Sequence, residues 1–423
     1  MRSCLPIMRL AGMLALAAAP VRAELVLIPV PDTATVAVLG KGISTDMWVE
    51  WREPADMIAD PAFLTVYPDW PRYVTPERLV QLRGEGFDFV RMPVDPEPMM
   101  LLGPGEARNR LIAQIRTRVG ELHAAGLAVI VDLHTIPWGD EGGITGIVQD
   151  NAIWADYLRL VSEVGYALDG LDPETTLFEP INEPVHDCDA IGADQPGQWN
   201  VQVLELHAAA RAAAPKLTLV LSGACWGGTD GLRNIDPASF KDDNIIFSFH
   251  SYEPFAFTHQ EALWTEGDFR FLTGLPYPPS KLDDATAAGL IDAALSRAMA
   301  ATDGSATGVT RESLTAVVED YRRQPDDVAG HDVSRAVAWA DRHGIAAGRL
   351  LLGEFGTTGG DQGSSIRPED RLAFLSDKRT AAENAGMSWA VWSWIGPLAI
   401  AEDSPSRPLL PRICQALALP CAP

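Results

Sequence analysis

Two hydrophobic rhythms alternate along this chain. Short, nearly continuous apolar runs recur at Thr35–Leu39, Phe87–Arg91, Ala128–Leu133, Thr176–Glu179, Thr218–Leu221, Ile245–His250, Leu350–Gly353 and Ser388–Trp394. Longer segments of helical pattern lie between them: Pro76–Glu85, Ala107–Ala125, Trp154–Leu168, Gln198–Ala213, Val333–Arg342 and Pro368–Ala385. The first kind suits strands buried on both faces, as in a parallel sheet. The second suits the helices that cover such a sheet. Eight strands in this alternation predict an α/β fold, a closed (β/α)8 TIM barrel in one domain. An open doubly wound sheet is the alternative, and it usually carries a three-glycine fingerprint after its first strand. Here Gly40-Lys41-Gly42 is followed by Ile43-Ser44-Thr45, so the third glycine is missing.

Two intervals break the rhythm. The fifth, around Trp226 to Phe240, is short and loop-like. The sixth, from Tyr252 to Leu350, holds far more chain than one crossover helix requires. It opens with Phe255, Phe257, Trp264, Phe269, Phe271 and Tyr277, then turns helical and acidic around Ala285–Ala301 and Arg311–Arg323. This predicts a long helical insertion after strand six, lying over the active face, with its first half a candidate for substrate contacts. A purely structural role fits the second half equally well.

Composition adds a compartment. Arg2 and Arg9, the apolar run Leu10 to Ala19 and the small residues of Val21-Arg22-Ala23 read as a secretory signal over residues 1–23. That run is too short to span a bilayer. Residues 24–423 are then the barrel, and no membrane association is expected after signal cleavage. Of the 423 residues, 47% are hydrophobic and 21% charged, which suits a soluble globular enzyme. The net charge of −24 repels nucleic acid and anionic membranes, so neither is an expected partner. It also disfavours polyuronic acids as substrates unless a local basic cleft overrides it. Cys188, Cys225, Cys414 and Cys421 remain after signal removal. Four cysteines allow three pairings in an oxidising compartment. Cys414 with Cys421 would make a local clasp. Cys188 and Cys225 either bridge two loops of one barrel face or stay free and buried. No metal-ligand spacing is present, and neither a metal nor a cofactor is expected.

Chemistry gathers at the strand ends. Glu183 stands in Asn182-Glu183-Pro184 after strand four, and Glu354 in Gly353-Glu354-Phe355-Gly356 at the end of strand seven. Barrel enzymes present their catalytic side chains there. Two carboxylates from different strands equip a retaining glycoside hydrolase, one donating a proton and the other attacking the sugar. Asn182 can bond a sugar hydroxyl beside them. Arg91 ends strand two and would hold a carboxylate ionised. His134 ends strand three, His250 and Tyr252 strand six, and Trp392 and Trp394 strand eight. An indole offers a flat apolar face to a sugar ring. Trp48, Trp51, Trp138, Trp226 and Trp264 lie on loops, where sugar stacking and loop packing are equally open. Asp132, His186 and Asp187 get an ordinary structural or solvated reading. No G-x-S-x-G elbow supports a serine esterase.

In this order the residues resemble glycoside hydrolase family 5, the cellulase-type barrels. The pattern is an arginine after strand two, a histidine after three, Asn-Glu after four, His-x-Tyr after six, a glutamate after seven and a tryptophan at eight. The resemblance runs from about Gly40 to Leu419. It implies Glu183 as general acid/base and Glu354 as nucleophile, with Arg91 and Tyr252 holding and tuning Glu354. It implies that Asn182 contacts the sugar 2-hydroxyl and that His134 and His250 line the same subsite. Trp392 matches the platform tryptophan better than Trp394. The expected activity is endo-β-1,4-glucanase on a polysaccharide substrate, from a monomeric, secreted or periplasmic protein. Activity on β-mannan or β-1,3-glucan, transglycosylation of exopolysaccharide, and a catalytically silent polysaccharide-binding barrel are the alternatives. The long insertion after strand six departs from the family pattern and bears on substrate preference.

Overall fold

The computed structural model describes residues 39–45, 74–134, 144–185, 188, 197–265, 267–359, 365–401 and 407–421. The expected signal segment, most of Thr35–Leu39, and Trp48, Trp51, Trp138, His186 and Asp187 lie outside these residues.

Eight parallel strands close into a barrel in chain order, β1 to β8, with β8 pairing back to β1. They are β1 Lys41–Ser44, β2 Phe89–Val94, β3 Ala128–Leu133, β4 Thr176–Glu179, β5 Thr218–Ser222, β6 Ile245–His250, β7 Leu350–Glu354 and β8 Ser388–Val391. The first five connecting helices are α1 Pro76–Glu85, α2 Glu97–Leu102, α3 Glu106–Ala124, α4 Ile144–Gln149 and α5 Asn151–Leu168. Then come α6 Trp199–Ala213, α7 Phe255–Thr258, α8 Asp268–Phe271, α9 Asp284–Ala300, α10 Arg311–Arg323 and α11 His331–Arg342. The last two are α12 Pro368–Asn384 and α13 Pro411–Ala416. The fifth crossover holds only two short 3-10 turns, Thr229–Asn234 and Pro237–Ser239.

The first strand begins beyond the expected Thr35–Leu39, inside the Gly40-Lys41-Gly42 sequence. Packing explains the difference. Phe89, Ile130, Leu177, Val220, Ile246, Leu351 and Ala390 form one apolar cluster, with one side chain from each of β2 to β8. Gly42 of β1 pairs in register with Phe89, and a Cβ on Gly42 would come 2.2 Å from the Phe89 ring. The glycine therefore belongs in the strand because Phe89 occupies its side-chain space.

The insertion after β6 docks on α12. Lys281 pairs with Asp370 at 2.8 Å, and the Tyr277 hydroxyl donates to Asp377 at 3.0 Å. The C-terminal segment reaches back to the start of the barrel wall. Leu409 N–H donates to the Glu85 carboxylate and Cys421 N–H to the Glu85 carbonyl. Both cysteine pairs are disulfides, Cys414–Cys421 and Cys188–Cys225. Among the described residues no helix is long and apolar enough to cross a membrane.

Candidate active site

The period-two alternation of the strands builds the site. Two residues beyond the apolar layer, Phe89 gives way to Arg91, Ile130 to Asp132 and Leu177 to Glu179; four beyond Ile246 comes His250. All four polar side chains are buried. Charge thus enters the barrel at the carboxyl ends of its strands.

Arg91 is the hub. Its Nε and Nη2 donate to the two oxygens of Glu179 at 2.7 and 3.1 Å. Nη1 donates to Glu354 Oε1 at 2.6 Å, and Nη2 also donates to Asn182 Oδ1 at 2.8 Å and lies 2.9 Å from Asp132 Oδ2. Burial works against the cation, but Asp132, Glu179 and Glu354 outweigh it and hold Arg91 well above its ordinary pKa. The same burial raises Asp132 to about 7 and raises Glu179, with Arg91 opposing both.

His134 is fixed as a neutral ring. Its Nδ1 is 2.7 Å from Asp132 Oδ2, and its Nε2 lies 3.3 Å from the Asn182 amide nitrogen. Burial holds its pKa down at about 4. Nδ1–H then donates to Asp132, and Nε2 accepts from Asn182. Trp392 stacks on this ring, centroids 5.1 Å apart.

Glu183 sits in the left-handed backbone region at φ 39°, a conformation that side chains other than glycine rarely adopt. Such outliers gather at functional sites. Its Oε1 lies 2.6 Å from His250 Nδ1. Burial raises the Glu183 carboxyl to about 7, with His134 and Arg91 partly opposing. Burial raises Glu354 as well, and the charges of His250 and Arg91 pull it back. Because burial keeps His250 itself at about 4, its ring is neutral near pH 7 and Arg91 is the lasting cation. Glu354 also accepts from the Tyr252 hydroxyl at 2.8 Å. With a guanidinium and a phenol both bonded to its ionised form, Glu354 gives up its proton before Glu183 does.

The two carboxyls face each other. One oxygen of Glu183, one of Glu354 and a ring nitrogen of His250 all lie within 4.8 Å of one another. Geometrically this trio could also hold a metal ion, but Arg91 already neutralises Glu354 and His250 is bonded to Glu183. The spacing is near the roughly 5–5.5 Å of retaining glycosidases and short of the roughly 6.5–9.5 Å of inverting ones.

Eight of the nine expected site residues fall in this network: Arg91, His134, Asn182, Glu183, His250, Tyr252, Glu354 and Trp392. Trp394 does not. It is fully buried in the main hydrophobic core, with the Arg78 guanidinium 5.2 Å above its ring. The alternation expected through Trp394 stops because β8 ends at Val391. Gly356 faces this bend, where a Cβ would meet the Trp392 carbonyl at 2.0 Å.

Four supporting residues were not legible as such. Glu179 and Asp132 sit inside strands, and their signal is a charge on the inward phase of the alternation. Lys378 of α12 and Asp332 of α11 carry no local signal. Lys378 donates to Ser251 Oγ at 2.7 Å and to the Glu253 carbonyl at 3.1 Å, while Ser251 donates to Asp332. These bonds fix the backbone between His250 and Tyr252.

The Cys188–Cys225 disulfide ties the loop after Glu183 to the loop after β5. Cys225, Trp226 and Gly227 all have positive φ, and Trp226 is 46% exposed there. Closing a loop across a separation of 37 residues is worth about 4 kcal/mol in the chain-entropy model. A Cys188→Ser/Cys225→Ser variant should lose stability of that order in denaturant unfolding. A loss below about 1 kcal/mol would show that the bridge does not constrain the unfolded chain.

A closed parallel barrel that brings a buried carboxyl of β7 close to a part-buried one from the turn after β4 has the layout of the glycoside hydrolase barrels. A model of the cellulase family, glycosyl hydrolase family 5, matches residues 62–396, and the chain belongs to that family. Endoglucanase 3 of Fibrobacter succinogenes is 25% identical over 233 residues, 54% of this chain and 31% of that protein. Endoglucanase C of Acetivibrio thermocellus is 26% identical over 212 residues, 49% of this chain and 58% of that protein. The matches thus span a third to somewhat over half of these relatives. Among solved structures, Cel5A of Thermotoga maritima in complex with cellobiose superposes with a TM-score of 0.62 at 19% identity, covering 90% of this chain and 97% of that one. Cellulose synthase subunit Z of Clostridioides difficile superposes with a TM-score of 0.61 at 20% identity, covering 90% and 99%. These two likenesses bear on the fold.

Proposed function

We propose that the protein is a secreted glycoside hydrolase that cleaves β-1,4-glucan internally, with retention of configuration. The observation that carries this reading is the close pair of carboxyls held in unlike environments. Glu354, bonded to Arg91 and Tyr252, is the anion that attacks the anomeric carbon. Glu183, protonated up to about pH 7, donates to the leaving oxygen and later takes a proton from water. Asn182 keeps one amide N–H beyond its bond to His134, free for the sugar hydroxyl next to the reacting carbon. Trp392, held by His134, offers its face to the ring. Family membership and the endoglucanases among the relatives support β-1,4-glucan as the substrate.

Soluble β-1,4-glucan should be shortened to oligosaccharides of mixed length, and NMR of the first products should show the β-anomer. Initial α-anomer would contradict retention, and release of single sugars from one chain end would contradict internal attack.

The pH dependence follows from the pair. Activity requires Glu183 protonated, so kcat/KM should fall as pH rises through about 7. It requires Glu354 ionised, so kcat/KM should also fall at acid pH. With an aryl glycoside whose leaving group needs no proton, Glu183→Ala should stay active and lose the alkaline limb. Persistence of that limb in the variant would assign it to another group.

A further inference from the structure

A groove of about 460 Å³ lies between the fifth crossover and α11, outside the carboxyl pair. It exists where the crossover has two 3-10 turns instead of a helix. Thr229, Asp230 and Arg233 line one side; Arg335, Ala338, Trp339, Arg342 and His343 line the other. Three arginines and a histidine thus face one carboxylate, on a chain of net charge −24. Arg335 is occupied, paired with Asp332 and 3.9 Å from Asp230. Among the described residues, Arg233 and Arg342 have no carboxylate within ion-pair distance. Thr229 and Trp339, 5% and 1% exposed, line the groove without opening their polar side-chain atoms to it. Two guanidinium groups that pair with no carboxylate among the described residues form a surface that an oxyanion completes.

We infer that this groove is a second saccharide site, specific for a carboxylate-bearing sugar. Size and position favour a saccharide over a bare ion. The volume falls within the roughly 300–1,000 Å³ of small-molecule sites. The groove also adjoins the active face along the chain. His250 N–H donates to the Gly227 carbonyl at 2.9 Å, Gly228 forms a bridge with His250, and Thr229 is the next residue. A glycan held here by its acidic units would leave neutral stretches of the same chain to the carboxyl pair. The site goes beyond the glucanase reading and does not depend on it.

The test is calorimetric titration of the full chain with three probes: a glucuronate-containing glucan oligosaccharide, its carboxyl-reduced neutral counterpart and inorganic phosphate. The acidic oligosaccharide should bind, and R233A/R342A should weaken it by about tenfold or more for each arginine removed. The neutral counterpart should bind the parent and the variant alike. Arg335 stays in place because it neutralises Asp332, which holds Ser251. Hydrolysis of a small aryl cellobioside, or melting temperature if that hydrolysis is absent, should be the same in parent and double variant and so report folding. Equal binding of the acidic probe to parent and variant, or no binding at all, would overturn the site. Binding of phosphate alone would overturn its assignment to a saccharide.

Discussion

Glu354→Ala is expected to lower turnover of β-1,4-glucan by roughly 10⁵-fold, a loss typical of removing a covalent nucleophile. The side chain accepts from Arg91 at 2.6 Å and from Tyr252 at 2.8 Å, so an anion is held at one fixed point. Removing it leaves a small space lined by the same donors. Added azide should enter that space and attack the sugar from the same face as the lost carboxylate. With an activated aryl β-glycoside, azide should restore part of the rate and give the α-glycosyl azide. A product of the opposite hand would place the attacking group elsewhere. In Glu183→Ala the open space lies on the leaving-group side, so azide should give the β-azide. Opposite stereochemistry in the two variants separates the roles of the two carboxyls.

Arg91 should show the second large effect, in stability as well as rate. Arg91→Met would leave Asp132, Glu179 and Glu354 buried without their cation. Breaking one buried pair costs about 3–5 kcal/mol, and three carboxylates share this guanidinium. The variant should be unfolded at neutral pH or should fold only where its carboxyls take up protons. Arg91→Lys is the milder test. One ammonium cannot reproduce a fork that serves Glu179, Glu354 and Asn182 together. The folded fraction should show a raised acid limb in kcat/KM, because Glu354 would need a higher pH to ionise. Since Glu183 loses its proton near 7, the two limbs should converge and the maximum should shrink. An unchanged acid limb in Arg91→Lys would mean that Arg91 does not set the charge of Glu354.

Much of this was legible because barrel chemistry sits at strand ends, and strand ends are marked in sequence. Glu183 before Pro184, Glu354 between glycines and His250 closing an apolar run each carry a local signature. The supporting charges were harder to see. Glu179 completes the run Leu177-Phe178-Glu179 and reads as the edge of a strand. Only its inward phase, two residues beyond Leu177, reveals a buried acid facing Arg91. Asp332 and Lys378 come from helices far along the chain, and nothing local says they meet at Ser251. The first strand was misplaced because the glycine that admits Phe89 carries no apolar side chain to mark a strand. Trp394 was misassigned because alternation holds only while the strand lasts, and β8 ends three residues earlier. The fifth crossover was correctly read as lacking a long helix, yet the groove this leaves beside α11 depends on packing that no local pattern encodes.

The central claim is that Glu354 becomes covalently bonded to the sugar. Mass spectrometry of the enzyme treated with an activated 2-deoxy-2-fluoro-β-cellobioside tests it most directly, since the fluorine slows release of any glycosyl-enzyme intermediate. One added fluorocellobiosyl unit should appear and should map, after proteolysis, to Glu354. An adduct on Glu183, or steady turnover to the α-anomer with no adduct, would contradict the account.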